Sequence, residues 1–351
     1  MTDVAAAPTR PRRRGRRIVL ITLSVIVGIA VVVGVVGSIT PWPSAMLIRA
    51  VFERGGTATA AEMERHQPVG PVDETLDIHY GEPGDETTTL DVFTVAAEGE
   101  ALPTIVWIHG GAWISGSSAN VDPYLRILAD EGYTAVALNY GLGPEATYPT
   151  AVRQLNDALA YLDEHAAELR IDPDRIILAG DSAGAQLASQ LTTLTTNDRY
   201  AQLLGIEPSL DASQLIGVIL NCGVYDMPAM AELDGLIAWG LQVSLWAYTG
   251  TKSWSATYEG ATMSTIDFVT EDLPPTYISG GNGDGLTWLQ SIPMSTALQD
   301  AGVEVTELFW PADHTPALPH EYQFHLDMPE AQQALDDTIA WLAELTASDQ
   351  P

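Results

Sequence analysis

In 351 residues the chain has one cysteine and one lysine, and each scarcity removes a class of explanation. With Cys222 alone, no intrachain disulfide can form. Cys222 lies in the apolar run Leu215 to Val224, which reads as a buried strand, so it is expected to be a small core residue and not a nucleophile. There is no Cys-x-x-Cys and no His-x-x-x-His, and His66, His79 and His165 lack metal-ligand spacing, so no metal site is expected. The glycine cluster Gly280-Gly281-Asn282-Gly283 lacks the Lys and Ser/Thr of a phosphate loop, and no cofactor is indicated. Basic residues are equally sparse. Six of the fifteen lie between positions 10 and 17, and after residue 17 nine basic residues, Lys252 among them, stand against forty-five acidic ones. A surface of that sign repels nucleic acid and anionic headgroups, so no nucleic-acid partner is expected.

Charge is absent altogether from one stretch, the twenty-three residues Ile18 to Thr40. Crossing a bilayer takes about 20 apolar residues, whereas the apolar region of a secretory signal is shorter, about 7 to 15. No small-x-small cleavage site follows the run. The expectation is a single-pass cell-membrane protein: a basic cytoplasmic tail over 1–17, a transmembrane signal-anchor over 18–40, and everything after Thr40 outside the cell. A cleaved signal peptide is the alternative. Residues 41–70 read as a juxtamembrane or cap segment that includes an amphipathic helix.

Strand and helix signals alternate from residue 71 to 351, which predicts a mostly parallel sheet covered on both faces. The initial hairpin is expected at Thr75–Tyr80 and Thr88–Thr94, around the turn Gly81-Glu82-Pro83-Gly84. Further strands are expected at Pro103–Ile108, Thr134–Tyr140, Arg175–Ala179, Leu215–Tyr225, Thr276–Gly280 and Val303–Trp310. Helices are expected near Tyr124–Glu131, Ala151–Leu169, Thr287–Ala301 and Pro329–Leu345. The stretch 227–262 interrupts this order with Leu236, Ile237, Trp239, Leu241, Trp246 and Trp254. Insertions of that length and apolarity are usually lids, so a small helical cap is expected, its tryptophans lining an acyl or aryl pocket; two helices of ordinary core are the alternative.

Two motifs carry chemistry. Gly180-Asp181-Ser182-Ala183-Gly184 follows the apolar strand Arg175–Ala179 and precedes a helix-like stretch from Ala185. A strand, a sharp turn and a helix with serine at the apex hold a hydroxyl clear of the sheet. Upstream, the strand ending at Ile108 runs into His109-Gly110-Gly111-Ala112-Trp113. Adjacent glycines at a strand end can present bare N–H groups to one point, which with the amide of Ala183 would stabilise the oxyanion of acyl transfer; losing one such donor costs about 3 kcal/mol.

With these motifs the chain resembles the α/β-hydrolase family, in the branch of carboxylesterases related to hormone-sensitive lipase and the bacterial feruloyl or xylan esterase-like enzymes. Matching residues are His109-Gly110-Gly111-Ala112-Trp113, Asn139-Tyr140-Gly141-Leu142 with Tyr148-Pro149, Gly180-Asp181-Ser182-Ala183-Gly184, Pro274-Pro275-Thr276 and His320-Glu321-Tyr322-Gln323-Phe324, over roughly residues 70 to 345. Ala112 and Ala185 stand where lipase-like members often have a third glycine. The resemblance implies an α/β-hydrolase fold and a serine carboxylic-ester hydrolase. Its oxyanion hole would be formed by Gly110, Gly111 and Ala183.

A serine hydroxyl needs a base to take its proton and an acid to fix that base, in the chain order Ser, acid, His for this fold. Only His314, His320 and His325 follow Ser182. The resemblance and the spacing to the closing helix favour His320, with His314 as rival. For the acid, the resemblance places Asp284 in the glycine loop after Thr276–Gly280, and Asp226 at the preceding strand end is the rival. The expected substrate is an ester of a small molecule, lipid or polysaccharide, with a short to medium acyl or aryl group. An amidase or peptidase on the same residues, or a non-catalytic surface binding module, are the alternatives.

Overall fold

A computed structural model describes residues 12–82, 84–233 and 235–348. The basic tail up to residue 11 and Pro83 of the expected hairpin turn lie outside the described residues. Eight strands form one sheet: β1 (Asp73–His79), β2 (Thr89–Thr94), β3 (Leu102–Ile108), β4 (Thr134–Leu138), β5 (Ile171–Asp181), β6 (Leu215–Asn221), β7 (Thr276–Gly280) and β8 (Val305–Phe309). Their order is β1-β2-β4-β3-β5-β6-β7-β8. The hairpin partner β2 runs antiparallel to both β1 and β4, and all other pairs are parallel.

Helices α1 (Arg12–Ile39) and α2 (Trp42–Met63) precede the sheet. They are followed by α3 (Asp122–Asp130), α4 (Thr150–Glu164), α5 (Ala166–Leu169), α6 (Ala183–Thr196) and α7 (Asp198–Leu204). The second half carries α8 (Met227–Met230), α9 (Gly235–Thr249), α10 (Tyr258–Met263), α11 (Ile292–Asp300) and α12 (Pro329–Ser348). The helix expected over Ala151–Leu169 is two helices, because His165 leaves helical geometry at φ −106°, ψ 14°, where its ring stacks on Tyr161. The transmembrane span expected over 18–40 is not shown: the run belongs to α1, and among the described residues no helix is long and apolar enough to cross a membrane.

Central strands are buried on both sides, as a covered parallel sheet requires. Val106, Ile108, Leu178, Leu220 and Ile278 face one core with Leu155 and Leu159 of α4, Leu187 and Leu191 of α6, and Leu298 of α11. Their neighbours Ile105, Trp107, Ile177, Ala179, Ile219 and Tyr277 face the other, against Tyr124 and Leu128 of α3 and Leu342 of α12. This two-residue alternation divides the apolar side chains between the two layers of helices. A third, small cluster joins Ala45 and Ile48 of α2 to Val243 and Ala247 of α9 and to Ala112 and Ile114 of the loop after β3. Helices α2 and α9 thus pack on that loop together.

Register aligns the carboxyl ends of the parallel strands. Ile108 pairs with Gly180, Asp181 with Asn221, Asn221 with Ser279, and Gly280 with Phe309. The segments that leave these ends carry the candidate residues, which is where open α/β sheets place their sites.

Candidate active site

Ser182 sits between β5 and α6 with φ 52° and ψ −117°, a conformation that costs a non-glycine residue about 1–3 kcal/mol and persists only when its surroundings enforce it. The surroundings do so. The Ser182 N–H donates to the Asn221 carbonyl at 2.8 Å, and α6 begins directly afterwards. Gly184 lies so close beneath β3 that any Cβ there would drive into the Ile108 carbonyl oxygen. The turn therefore requires glycine to let helix and strand approach.

Around the serine, the structure brings together residues far apart in sequence. His320 Nε2 lies 2.9 Å from Ser182 Oγ, and His320 Nδ1 lies 2.7 Å from Asp284 Oδ2. Asp284 is 7% exposed, and its Oδ1 accepts the Leu286 N–H at 2.9 Å. The glycine loop that carries Asp284 rests on the segment before His320: Gly283 N–H donates to the Leu318 carbonyl at 2.9 Å, and a Cβ on Gly281 would strike that carbonyl and the next. Close loop packing thus sets the distance between carboxylate and imidazole. Below them, Gln323 Nε2 donates to Ser279 Oγ at 2.7 Å, which donates to Asn221 Oδ1 at 2.7 Å. This buried chain ties the segment after His320 to the ends of β6 and β7.

Burial alone would lower the His320 pKa. The hydrogen bond to Asp284, the neighbouring Cys222, and the charges of Glu321 and Asp284 outweigh it, and the imidazole lies well above its ordinary 6.5. The imidazole is thus set up as a strong proton acceptor. Both rivals are engaged elsewhere. Asp226 caps α8 by accepting the Ala229 N–H at 3.1 Å, and His314 Nε2 lies 3.0 Å from Glu330 with its ring against Trp310.

The loop 109–113 differs in one respect from expectation. Gly110 N–H is engaged by Asp181, donating to its Oδ2 at 2.8 Å, because that buried carboxylate reaches across from the end of β5. The N–H groups of Gly111 and Ala183 donate no hydrogen bond among the described residues. Gly111 at φ 106° is followed by Ala112 and Trp113 at φ 53° and 60°, and its carbonyl accepts the Ser115 hydroxyl at 2.8 Å. Trp113 Nε1 donates to Gln186 Oε1 at 3.0 Å. Beneath the loop, His109 stacks on Tyr140, and burial lowers its pKa to about 4, so it is a neutral buttress. Arg49 of α2 reaches the same region, donating to the Ile114 carbonyl and, at 2.7 Å, to the Gly143 carbonyl.

Cys222 is buried as expected, but at the site and not in a remote core. Its sulfur, a His320 ring nitrogen and an Asp284 oxygen lie within 4.8 Å of one another. That set could bind a soft cation, but the 2.7 Å bond between His320 and Asp284 already occupies two of its members. The tryptophans of the 227–262 segment do not share one location. Trp254 is buried in the main core, Lys252 Nζ lies 4.3 Å from the centre of the Trp246 ring, and Trp239 is 44% exposed. Reading the sequence missed Asp181, Glu321, Gln323 and Arg49. Asp181 stands inside the serine motif, and Glu321 and Gln323 directly after His320, and those positions were the available signal.

Residues 90–298, more than half of the chain, match the family model described as BD-FAE. The chain is 31% identical over 235 residues to "Esterase LipQ" of Mycobacterium tuberculosis, covering 65% of this chain and 53% of that protein. It is 30% identical over 218 residues to "Probable carboxylic ester hydrolase LipM" of the same organism, covering 61% and 49%. The chain thus spans about half the length of these relatives. Among solved structures, esterase B from Lactobacillus rhamnosis superposes with a TM-score of 0.74 at 23% identity, over 87% of this chain and 96% of that one. The architecture is the α/β-hydrolase fold, and by its sequence the chain belongs to the BD-FAE family.

Proposed function

We propose that the protein hydrolyses carboxylic esters through an acyl-enzyme on Ser182. The observation that carries this reading is the continuous hydrogen-bonded chain from Ser182 Oγ through His320 to Asp284, at 2.9 and 2.7 Å. The esterase names of the two relatives support the same chemistry.

In the proposed reaction Ser182 Oγ attacks the ester carbonyl carbon as its proton passes to His320 Nε2. Asp284 holds the imidazole by its Nδ1–H and stabilises the imidazolium. The Gly111 and Ala183 N–H groups take the developing oxyanion, each such donor being worth about 3 kcal/mol. The C–O bond then breaks, and His320 returns the proton to the departing alkoxide. Water enters by the same route in reverse roles: His320 takes its proton, hydroxide adds to the acyl carbon, and Ser182 leaves protonated with the free acid released. The proposed substrates are esters of short to medium acyl or aryl groups.

The test is turnover of p-nitrophenyl esters of increasing acyl length by the full chain, beside Ser182→Ala. Turnover lost in the variant, with an acyl-enzyme burst in the parent, is the expected result. Turnover that survives Ser182→Ala overturns the mechanism. A folded parent that cleaves amides and no ester assigns the site to amidase chemistry, and one that cleaves neither assigns it to binding.

A further inference from the structure

In the proposed reaction the Gly111 N–H must point at the oxyanion, and nothing in a glycine aims it there. Gly111 stands at φ 106° and is followed by two residues with side chains at positive φ, Ala112 at 53° and Trp113 at 60°. Such a run persists only where the surroundings enforce it. The peptide groups on either side of Gly111 are pinned by their carbonyls. On one side, the Gly110 carbonyl accepts from His109 Nδ1 at 2.8 Å. On the other, the Gly111 carbonyl accepts the Ser115 hydroxyl at 2.8 Å, the Ser115 N–H at 3.1 Å and the Ile114 N–H at 3.2 Å.

The second of these anchors is set from the N-terminal helix α2. The Ser115 N–H and the Ile114 carbonyl belong to one planar trans peptide, whose two polar bonds point in opposite directions. Arg49 Nε donates to that Ile114 carbonyl. The guanidinium thus pulls on one end of the peptide while the other end holds the Gly111 carbonyl, and a cation at the carbonyl makes the N–H a stronger donor. The same guanidinium donates through Nη2 to the Gly143 carbonyl at 2.7 Å, and the Gly143 N–H donates to the Trp113 carbonyl at 2.8 Å. A bidentate pair with Glu145, at 2.6 and 2.7 Å, fixes the plane of the fork. With its side chain 17% exposed, Arg49 is largely shielded from competing water.

We infer that Arg49 is a positioning residue for the oxyanion hole: from α2, outside the sheet, it locks the loop 109–115 in the conformation that presents the Gly111 N–H. The inference rests on Ser182 acting as nucleophile and on the oxyanion forming at Gly111 and Ala183. Ala45 and Ile48 pack with Ala112 and Ile114 and bring the helix against the loop, but apolar burial is non-directional and does not select a peptide orientation. The hydrogen bonds do, and an arginine fork reaches both carbonyls at once where a lysine reaches one. Without the guanidinium, the loop keeps its apolar cover and loses the bonds that hold Ala112 and Trp113 at positive φ, so the Gly111 N–H drifts from the oxyanion. That N–H is fully used only when the carbonyl oxygen carries charge, so the loss falls on the transition state and not on substrate binding.

The test compares Arg49→Ala, in the full chain, with the parent and with Arg54→Ala, which removes an exposed arginine from the same helix. In p-nitrophenyl ester hydrolysis Arg49→Ala is expected to lower kcat on the order of 10- to 100-fold with KM little changed, less than the loss from deleting an oxyanion donor outright. Arg49→Lys is expected to fall between Arg49→Ala and the parent, and Arg54→Ala to match the parent. The inhibition constant of an aryl trifluoromethyl ketone, which a serine nucleophile converts to an oxyanion adduct, is expected to rise in Arg49→Ala by the factor that kcat/KM loses. An unchanged kcat, a rise in KM that accounts for the whole loss, or an unchanged inhibition constant overturns the positioning role. Hydrogen exchange reads the clamp without turnover: the Ile114 and Ser115 amides are expected to exchange faster in Arg49→Ala while β3 and β5 stay as slow as in the parent. Equally slow exchange at Ile114 and Ser115 overturns the clamp whether or not the protein hydrolyses esters. Faster exchange throughout β3 and β5 marks a variant that has not folded, and the same comparisons are then decided on Arg49→Lys. Absence of any Ser182-dependent turnover in the parent is a failure of the proposed function, which the exchange result distinguishes.

Discussion

Asp284 Oδ2 lies 2.7 Å from His320 Nδ1, whereas Asp226, the rival acid, accepts a backbone N–H of its own helix. The two aspartates therefore have different consequences when altered. Asp284→Asn is expected to lower kcat by about 10⁴, because an amide in that position no longer fixes the imidazole tautomer. Asp226→Ala is expected to keep kcat and lose about 1 kcal/mol of stability, the usual cost of an N-cap. Steady-state kinetics and thermal melts on both variants decide the matter. A dead Asp226→Ala beside an active Asp284→Asn reverses the assignment.

His314 and His320 form a second such pair. His314→Ala breaks only the contact with Glu330 and the packing on Trp310, so ester turnover is expected to persist. His320→Ala removes the only imidazole in contact with Ser182 among the described residues, and turnover is expected to fall by several orders of magnitude, on the order of 10⁴ or more. Equal losses in the two variants would mean that the contact at 2.9 Å is not the one that works.

How far the sequence alone led can be judged residue by residue. Ser182 was legible because its surroundings are local: an apolar strand, a tight glycine-flanked turn and a helix follow one another without a break. Asp284 and His320 were narrowed to short loops by chain order and resemblance, but their approach depends on Gly281 and Gly283 packing under Leu318, a contact between loops that no local pattern encodes. Gly110 was assigned to the oxyanion because glycine pairs expose N–H groups. What the motif cannot show is a competing acceptor, and Asp181 is one, delivered from a different strand. Cys222 was placed in the core by its apolar neighbours. Its strand does end in the core, but the turn after Asn221, at φ 53°, carries the thiol beside the imidazole. The run at 18–40 was read by composition, and among the described residues no helix is long and apolar enough to cross a membrane.

The raised His320 pKa makes activity and stability run in opposite directions with pH. As the proposed base, the imidazole must be neutral, so kcat/KM is expected to fall on the acid side with a midpoint above 6.5. Stability has the reverse sign. A folded-state pKa above the unfolded one contributes stabilisation that is complete below the unfolded value and disappears as pH rises through the folded one. A pH–rate profile and melting curves across the same range, with His320→Gln as reference, check both limbs. A midpoint at or below 6.5 would falsify the coupling of His320 to its acidic neighbours.

The last prediction concerns how α2 is held over the site. Near its end, Glu62 accepts the Asp327 backbone N–H at 3.0 Å and meets His325 Nδ1 at 3.1 Å, five residues beyond His320. Arg65 and His66, just after α2, both pair with the Asp327 carboxylate. Burial alone would raise the Glu62 pKa, but the Asp327 N–H, the His325 hydrogen bond and the His325 charge bring it below the ordinary 4.5. A depressed carboxylate contributes stability that is present above its unfolded pKa and is lost as pH falls through the folded value. Below about pH 4.5, then, the attachment of α2 to the segment after His320 is expected to weaken before the sheet does. Hydrogen exchange at pH 4 against pH 7 should show faster exchange across Trp42–Met63 and unchanged protection in β3, β5 and β6. Glu62→Ala should produce the faster exchange at pH 7 as well, and should lower kcat through the Arg49 contacts that α2 makes to Ile114 and Gly143. If α2 in Glu62→Ala exchanges as slowly as in the parent, the apolar contacts of Ala45 and Ile48 with α9 hold the helix by themselves, and Glu62 serves only the turn at Asp327.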